Sequence, residues 1–143
     1  MTQVNRSVLV PHTPAQMFDI VNDVEEYPHF LPWCASATLL DLTDRVMVAR
    51  LEIHRGGLKQ SFTTRNEFKR PHSIDLSLVE GPFSNLNGQW RFEPVSEFGC
   101  KVNFFLSFEI DSRAMRFALG KVFNMAADKL VDAFCDRAEQ RYG

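Results

Sequence analysis

Histidine is the residue type most often used for acid–base catalysis and metal binding, so the spacing of the four histidines is informative. His12, His29, His54 and His72 lie in or beside predicted turns, and no two are three or four residues apart. That is the spacing that brings two metal ligands onto one helical face. Histidines in turns are usually solvent-exposed side chains. The pattern therefore predicts no metal site.

The acidic residues and cysteines give only a weak signal for catalysis. Asp23, Glu25 and Glu26 flank a hydrophobic segment and could act as acid and base, although a solvated helix end explains them more simply. Cys34 has no histidine or basic residue tied to it by spacing, and a free cysteine is usually a small buried side chain. No glycine-rich loop joins a strand to a helix, as a nucleotide phosphate would require. We predict a binding protein with no catalytic residue and no required cofactor.

Basic side chains are concentrated between residues 54 and 72, where Glu67 is the one acidic residue that opposes them. The candidates for contact with phosphate groups are Arg55, Lys59, Arg65, Lys69 and Arg70. An ordinary solvated face is one interpretation of this cluster. Contact with the phosphates of anionic lipid or of ribosomal RNA is the other. The net charge of −2 argues against a general nucleic-acid binder, and no DNA partner is expected.

The composition indicates one soluble domain with an unusually large supply of apolar rings. The chain has 143 residues, 45% of them hydrophobic, and 13 Phe against two Tyr and two Trp. Such a length is enough for a single domain spanning 1–143, and the rings suit either a large core or an oily pocket. Three widely spaced cysteines predict no disulfide framework. Without a secretory signal or a spanning apolar segment, the protein is expected to be cytoplasmic.

The pattern of apolar residues predicts an α+β fold. Alternation indicates a strand at 4–10, and a capping box at Thr13 begins a short helix. Prolines break the hydrophobic segment 23–34, which is interpreted as a loop or a second, broken helix. Six further strands are predicted at 37–42, 46–54, 59–68, 74–80, 86–92 and 100–110. A proline-free helical pattern then runs from Ser112 to about Tyr142, with Gly120 as a point of bending or close backbone approach.

One face of the predicted antiparallel sheet is apolar and the other is polar, so the long C-terminal helix must cover the apolar face. A curved sheet gripping a helix leaves concave space, and this space is a candidate pocket for an apolar ligand. Alternation selects nine side chains as pocket walls: Leu51, Phe62, Leu76, Trp90, Phe104, Val122, Phe123, Ala126 and Leu130.

Three segments together resemble the coenzyme Q-binding, START-like family. They are DVEEYPHFLPWC at 23–34, VEGPFSNLNGQWRFEP at 79–94, and SFEI at 107–110 followed by KVFNMAADKLVDAFCDRAEQRYG at 121–143. The resemblance covers nearly the whole chain and implies the helix-grip fold, with about seven strands curled around the last helix. It also implies a cavity mouth or lid made of Tyr27, Pro28, Phe30, Leu31, Pro32, Trp33 and Phe83.

The resemblance leaves two functions open. The first is a lipid-binding protein that shelters ubiquinone or another isoprenoid lipid and supports respiration, with transient contact at the inner-membrane surface. The alternative is a ribosome-associating, toxin-like factor that binds the large ribosomal subunit and inhibits translation initiation. The wider superfamily also contains polyketide cyclases and dehydrases, but no acid–base pair in this sequence favours that activity.

Overall fold

The computed structural model describes residues 2–55 and 57–143, and its main element is one seven-stranded antiparallel sheet. The strands are β1 (Thr2–Val10), β2 (Cys34–Leu42), β3 (Val46–Arg55), β4 (Leu58–Lys69), β5 (Ser73–Glu80), β6 (Phe83–Ser96) and β7 (Gly99–Ile110). Strands β2 to β7 form a meander, and β1 pairs with β7, so that the order is β1-β7-β6-β5-β4-β3-β2. The predicted strands and their antiparallel arrangement are confirmed.

Two short helices follow β1. Helix α1 (Pro14–Asn22) begins with the predicted capping box, in which Thr13 Oγ1 accepts from the Gln16 N–H at 3.2 Å. The Gln16 side chain in turn accepts from the Thr13 N–H at 2.9 Å. A 3-10 helix (Val24–His29) then occupies the segment interpreted as a loop or broken helix. This helix accommodates Pro28, which has no backbone N–H to donate, because so short a helix makes few backbone hydrogen bonds.

Helix α2 (Arg113–Tyr142) has 30 residues and is about 45 Å long. It begins at the predicted cap, where Ser112 Oγ accepts from the Met115 N–H at 3.0 Å. The helix continues through Gly120. A Cβ atom at this position would lie 3.8 Å from Ile110 Cδ1, an ordinary contact distance. Within the described residues, no backbone of another element therefore approaches Gly120 closely, and that part of the expectation is wrong.

Helix α2 packs across the concave face of the sheet, and aromatic rings fill both ends of the contact. Near the N-terminal half of α2, the ring centroid of Phe123 lies 4.6 Å from Phe108 and 4.9 Å from Phe83. Eleven residues further along the helix, Phe134 meets Trp90 at 5.3 Å. Burying each such ring contributes about 1.5–3 kcal/mol, so these contacts fix the helix on the sheet. Among the described residues, no helix is long and apolar enough to cross a membrane.

Candidate functional site

Between the two aromatic ends, the sheet and α2 do not meet completely and a cavity of about 90 Å³ remains. Its walls come from both short helices, from β3 to β7 and from the middle of α2. The lining residues are Val21, Val24, Tyr27, Trp33, Ala49, Leu51, Phe62, Thr64, Asn66, Ile74, Leu76, Leu86, Trp90, Phe104, Leu106, Phe123, Ala126, Ala127, Leu130 and Phe134.

Most of the side chains chosen by alternation do line this cavity. The structure brings together Leu51, Phe62, Leu76, Trp90, Phe104, Phe123, Ala126 and Leu130. Val122 was predicted to join them but does not. Phe123 and Leu130 mark the face of α2 that lines the cavity. Successive residues are about 100° apart around a helix, so Val122 points away from this face. It is half-buried and packs against the hydrophobic core instead.

The predicted mouth or lid is only partly at the cavity, where Tyr27 and Trp33 contribute lining side chains. Leu31 is 1% exposed and Phe83 is 4% exposed, so both are core residues, and neither lines the cavity. Leu31 is drawn inward by a turn in which its N–H donates to the Tyr27 carbonyl at 2.9 Å. Phe83 packs edge-on against Phe62, with ring centroids 5.8 Å apart.

The remaining predicted lid residues lie near the cavity without lining it. Pro28 is half-buried inside the 3-10 helix, and Pro32 is exposed in the loop that leads to β2. Phe30 packs behind the wall, where its ring centroid is 5.7 Å from that of Phe134. Hydrophobic character alone does not separate a lid from the packing that supports it.

Tyr27 closes one end of the cavity as a fixed, neutral side chain. Its hydroxyl donates to the backbone carbonyl of Val21, and its ring lies 5.3 Å from that of Phe134. Burial raises the pKa of the Tyr27 phenol well above its ordinary value, with smaller contributions from Cys34 and Asp23. The phenol therefore stays protonated and uncharged at neutral pH. Its role is to form part of the cavity wall.

Two polar residues of β4 line the cavity, and the sequence reasoning missed both. Thr64 and Asn66 are 7% and 6% exposed, and the Thr64 hydroxyl donates to Asn66 Oδ1 at 2.9 Å. They occupy the inward positions between Phe62 and Phe68, so alternation along β4 was sufficient to find them. They were passed over because only apolar residues were considered as walls.

The cavity is otherwise apolar, which restricts the ligands it can hold. None of the described residues that line it is charged. A charged ligand group would lose its hydration here without gaining a counter-charge, so neutral molecules are favoured. The volume of about 90 Å³ is below the roughly 300–1,000 Å³ of typical ligand pockets. A larger ligand must therefore displace half-buried wall residues such as Trp33, Leu51 and Leu130.

Gly88 of β6 shapes the floor of the cavity. A Cβ atom at this position would lie 2.8 Å from Leu76 Cδ1 and 3.2 Å from Leu106 Cδ1. Both leucine side chains line the cavity, and they lie back over the glycine instead of projecting further inward. The missing side chain at position 88 therefore contributes to the open space.

The predicted phosphate-contact residues are all exposed, but their charge is partly compensated. The ion pairs are Lys59 with Glu52 at 3.5 Å, Arg65 with Glu67, and Arg70 with Asp19 at 2.8 Å. Glu67 is thus not the one acidic residue that opposes the cluster, because Glu52 and Asp19 approach from other parts of the fold. Lys59 and Lys69 are also about 33 Å apart along β4, so the five cations do not form one compact patch.

A curved antiparallel sheet that grips a long C-terminal helix around an apolar cavity defines a protein of the START-like, helix-grip class. A START superfamily protein from Mycobacterium smegmatis has the same fold, with a TM-score of 0.79 and 20% identity over 96% of this chain and 97% of that one. The Zhui aromatase/cyclase from Streptomyces has a TM-score of 0.81 and 20% identity over 99% and 96% of the two chains. At such identities the likeness establishes the fold alone.

The chain belongs to the family described as polyketide cyclase/dehydrase and lipid transport, which it matches over residues 10–135. Curated relatives include the ribosome association toxin RatA of Vibrio cholerae, 44% identical over 100% of this chain and 99% of the relative. RatA of Pseudomonas aeruginosa is 42% identical over 99% of both chains. A more distant relative is the mitochondrial coenzyme Q-binding protein COQ10 homolog B of Xenopus laevis. It is 29% identical over 90% of this chain and 54% of its own length.

The names of the two bacterial relatives denote ribosome association and toxicity, not a chemical reaction. They therefore favour the second of the two functions that the sequence left open. The resemblance to the START-like family, on which both functions were based, is confirmed by the family match.

Proposed function

We propose that the protein associates with the ribosome and acts as a toxin-like inhibitor of translation, with the large ribosomal subunit as its partner. The observation that carries this proposal is the identity of 42–44%, from end to end of the chain, to two ribosome association toxins. Such a function places the protein in the cytoplasm.

The exposed basic side chains on β3 and β4 are the candidates for contact with ribosomal RNA phosphates. Arg55 ends β3 and Lys69 ends β4, and neither makes an ion pair with another described residue. Their charges are available to phosphate groups without first breaking a contact within the protein. We therefore expect these two residues to contribute more than Lys59, Arg65 or Arg70.

Cosedimentation with large ribosomal subunits over a series of salt concentrations tests this proposal. The wild-type protein should bind at low salt and dissociate as salt rises. Each lost phosphate contact reduces the magnitude of the slope of log affinity against log salt by about 0.7–0.9, so the double variant Arg55→Gln/Lys69→Gln should reduce it by about 1.4–1.8. The control Lys121→Gln/Lys129→Gln removes the same charge from exposed positions on α2.

This experiment tests separately whether the protein associates with the ribosome and whether the basic residues of β3 and β4 make the contact. A wild-type protein that does not cosediment even at low salt contradicts ribosome association. Equal losses in both double variants contradict a specific role for β3 and β4, and leave only a general effect of net charge.

The cavity supports a second function, the binding of a neutral isoprenoid lipid such as ubiquinone as a ligand. A space with 20 lining residues, none charged and most apolar, suits such a molecule. The name of the Xenopus relative, a coenzyme Q-binding protein, agrees with this choice. A cytoplasmic protein would collect such a ligand by transient contact with the inner-membrane surface.

Native mass spectrometry of the gently purified protein, with mass spectrometry of its organic extract, tests the second function. A stoichiometric isoprenoid lipid is the expected result. Protein that is empty after purification and also takes up no quinone from vesicles contradicts the second function and leaves ribosome association untouched.

A further inference from the structure

We propose that Asn66 binds the polar head of the cavity ligand through its side-chain amide nitrogen. The cavity would then select neutral ligands that carry an acceptor oxygen, such as a quinone carbonyl, over hydrocarbons and carboxylates. This inference rests on the second proposed function, the binding of a lipid in the cavity.

The first step of the argument is the burial of a donor. Asn66 is 6% exposed and lines a cavity whose other walls are almost entirely apolar. An amide in such surroundings has lost its water and needs partners for its two N–H groups. A ligand oxygen inside the cavity is a partner that can reach it.

The second step is the orientation of the amide. Asn66 Oδ1 accepts from the Thr64 hydroxyl at 2.9 Å, which assigns the oxygen to the protein and leaves Nδ2 as the group available to a ligand. Within the described parts of the chain, no protein acceptor is hydrogen-bonded to Asn66 Nδ2. Thr64 is therefore a positioning residue that holds the amide with its donor side open.

The third step excludes the Tyr27 hydroxyl and any charged side chain as the anchor. The Tyr27 hydroxyl already donates to the Val21 carbonyl, so its proton is not available to a ligand. No charged side chain among the described lining residues could bind a carboxylate. The donors that the described lining residues offer are thus neutral: the Asn66 amide, whose oxygen is already held by Thr64, and the indole N–H groups of Trp33 and Trp90.

The fourth step places the rest of the ligand. Asn66 lies opposite Leu76 on β5 and Met47 on β3, two residues from Thr64 and four from Phe62 along β4. The lining part of α2 runs from Phe123 to Phe134, about 16 Å along the helix axis. A head group at Asn66 leaves the apolar space toward Phe62 and Phe123 for an isoprenoid or alkyl tail.

Binding of three probes with tails of nine or ten carbons tests the proposal: decylubiquinone, decylbenzene and decanoate. The wild-type protein should bind decylubiquinone most tightly. The variant Asn66→Leu, similar in size but without the amide, should lower affinity for decylubiquinone about twofold to tenfold and leave decylbenzene affinity equal or higher. The control Thr63→Val changes a buried polar residue of the same strand that does not line the cavity, so both affinities should persist.

A second measurement needs no variant. In the infrared spectrum of wild-type protein loaded with decylubiquinone, one carbonyl stretch should lie below its position in a hydrocarbon solvent, because the bond to the amide weakens C=O. Asn66→Leu should restore the unbonded position.

Several results would contradict the proposal that Asn66 binds the head of the ligand. They are an unshifted carbonyl in the wild-type complex, an equal loss of both neutral probes in Asn66→Leu, undiminished quinone binding by that variant, or tighter binding of decanoate than of the quinone. If the wild-type protein binds neither neutral probe, the lipid-binding function itself fails. That outcome differs from the first four, in which a cavity ligand is still bound.

Discussion

Filling the cavity from the helix side should make the protein more stable and at the same time abolish ligand binding. Ala126 is 7% exposed and lines the cavity from the middle of α2. In the variant Ala126→Leu, the added carbons project into the space between helix and sheet. A gain in stability combined with a loss of binding would separate a true cavity from an ordinary core position.

The magnitude follows from the volume. An unfilled cavity costs about 24 cal/mol per Å³, so filling about 90 Å³ is worth about 2 kcal/mol. The three added carbons give about 2.4 kcal/mol at 0.8 kcal/mol each, which agrees. Fixing the leucine rotamer costs about 0.5–1 kcal/mol. The free energy of unfolding of the ligand-free protein should therefore rise by about 1–2 kcal/mol.

Urea denaturation of the ligand-free protein, followed by far-UV circular dichroism, measures this change, and native mass spectrometry measures ligand retention. The control Ala118→Leu makes the same chemical change on an exposed position of α2 and should shift stability by less than about 0.5 kcal/mol. A loss of 1–3 kcal/mol in Ala126→Leu would mean that the leucine overpacks an already filled core. A folded variant that still retains a lipid would place the ligand elsewhere.

Three further predictions concern glycines and thiols. Gly120→Ala should raise the free energy of unfolding by about 0.5–1 kcal/mol in urea denaturation, because alanine favours the helix and its Cβ has room; a loss would show unseen crowding. Gly88→Ala should leave circular dichroism unchanged but push Leu76 inward and weaken lipid retention; normal retention would contradict its role in shaping the floor. Burial raises the pKa of the Cys34 and Cys100 thiols from 9.0 to about 11. The unfolded chain therefore loses these protons first, so the contribution of the two thiols to stability should be constant below pH 9 and fall toward pH 11. Over that range a double Cys→Ser variant should lose less stability than the wild type, and equal slopes would contradict the shift.

The elements of the fold were predictable because each has a sequence period that depends only on local geometry. Alternation along β6 and β7 identified their buried faces, and the capping box at Thr13 identified the start of α1. The long proline-free pattern after Ser112 identified α2. These signals lie within single segments, so no knowledge of tertiary contacts was needed.

The candidate site was less predictable, since it depends on contacts between distant segments. Asp19 is 51 residues from Arg70, and nothing local indicates that it neutralises this cation. Leu31 and Trp33 are equally hydrophobic by type, but the turn at Tyr27 sends the first into the core and the second to the cavity. The sequence period therefore identifies which side chains face inward, whereas three-dimensional packing decides which of them meet empty space.

The interior of this protein supports the proposed lipid-binding function beside the proposed ribosome association. A scaffold that only presented basic side chains to RNA would gain stability from a leucine at Ala126, and an apolar residue at position 66 would avoid burying an amide in an apolar cavity. Departures of this kind from a filled, fully satisfied core are typical of functional sites. The surface variant Arg55→Gln/Lys69→Gln and the cavity variant Ala126→Leu change separate regions, so their effects on ribosome binding and lipid binding can be measured independently. Loss of both activities in Ala126→Leu alone would mean instead that the ligand is required for ribosome association.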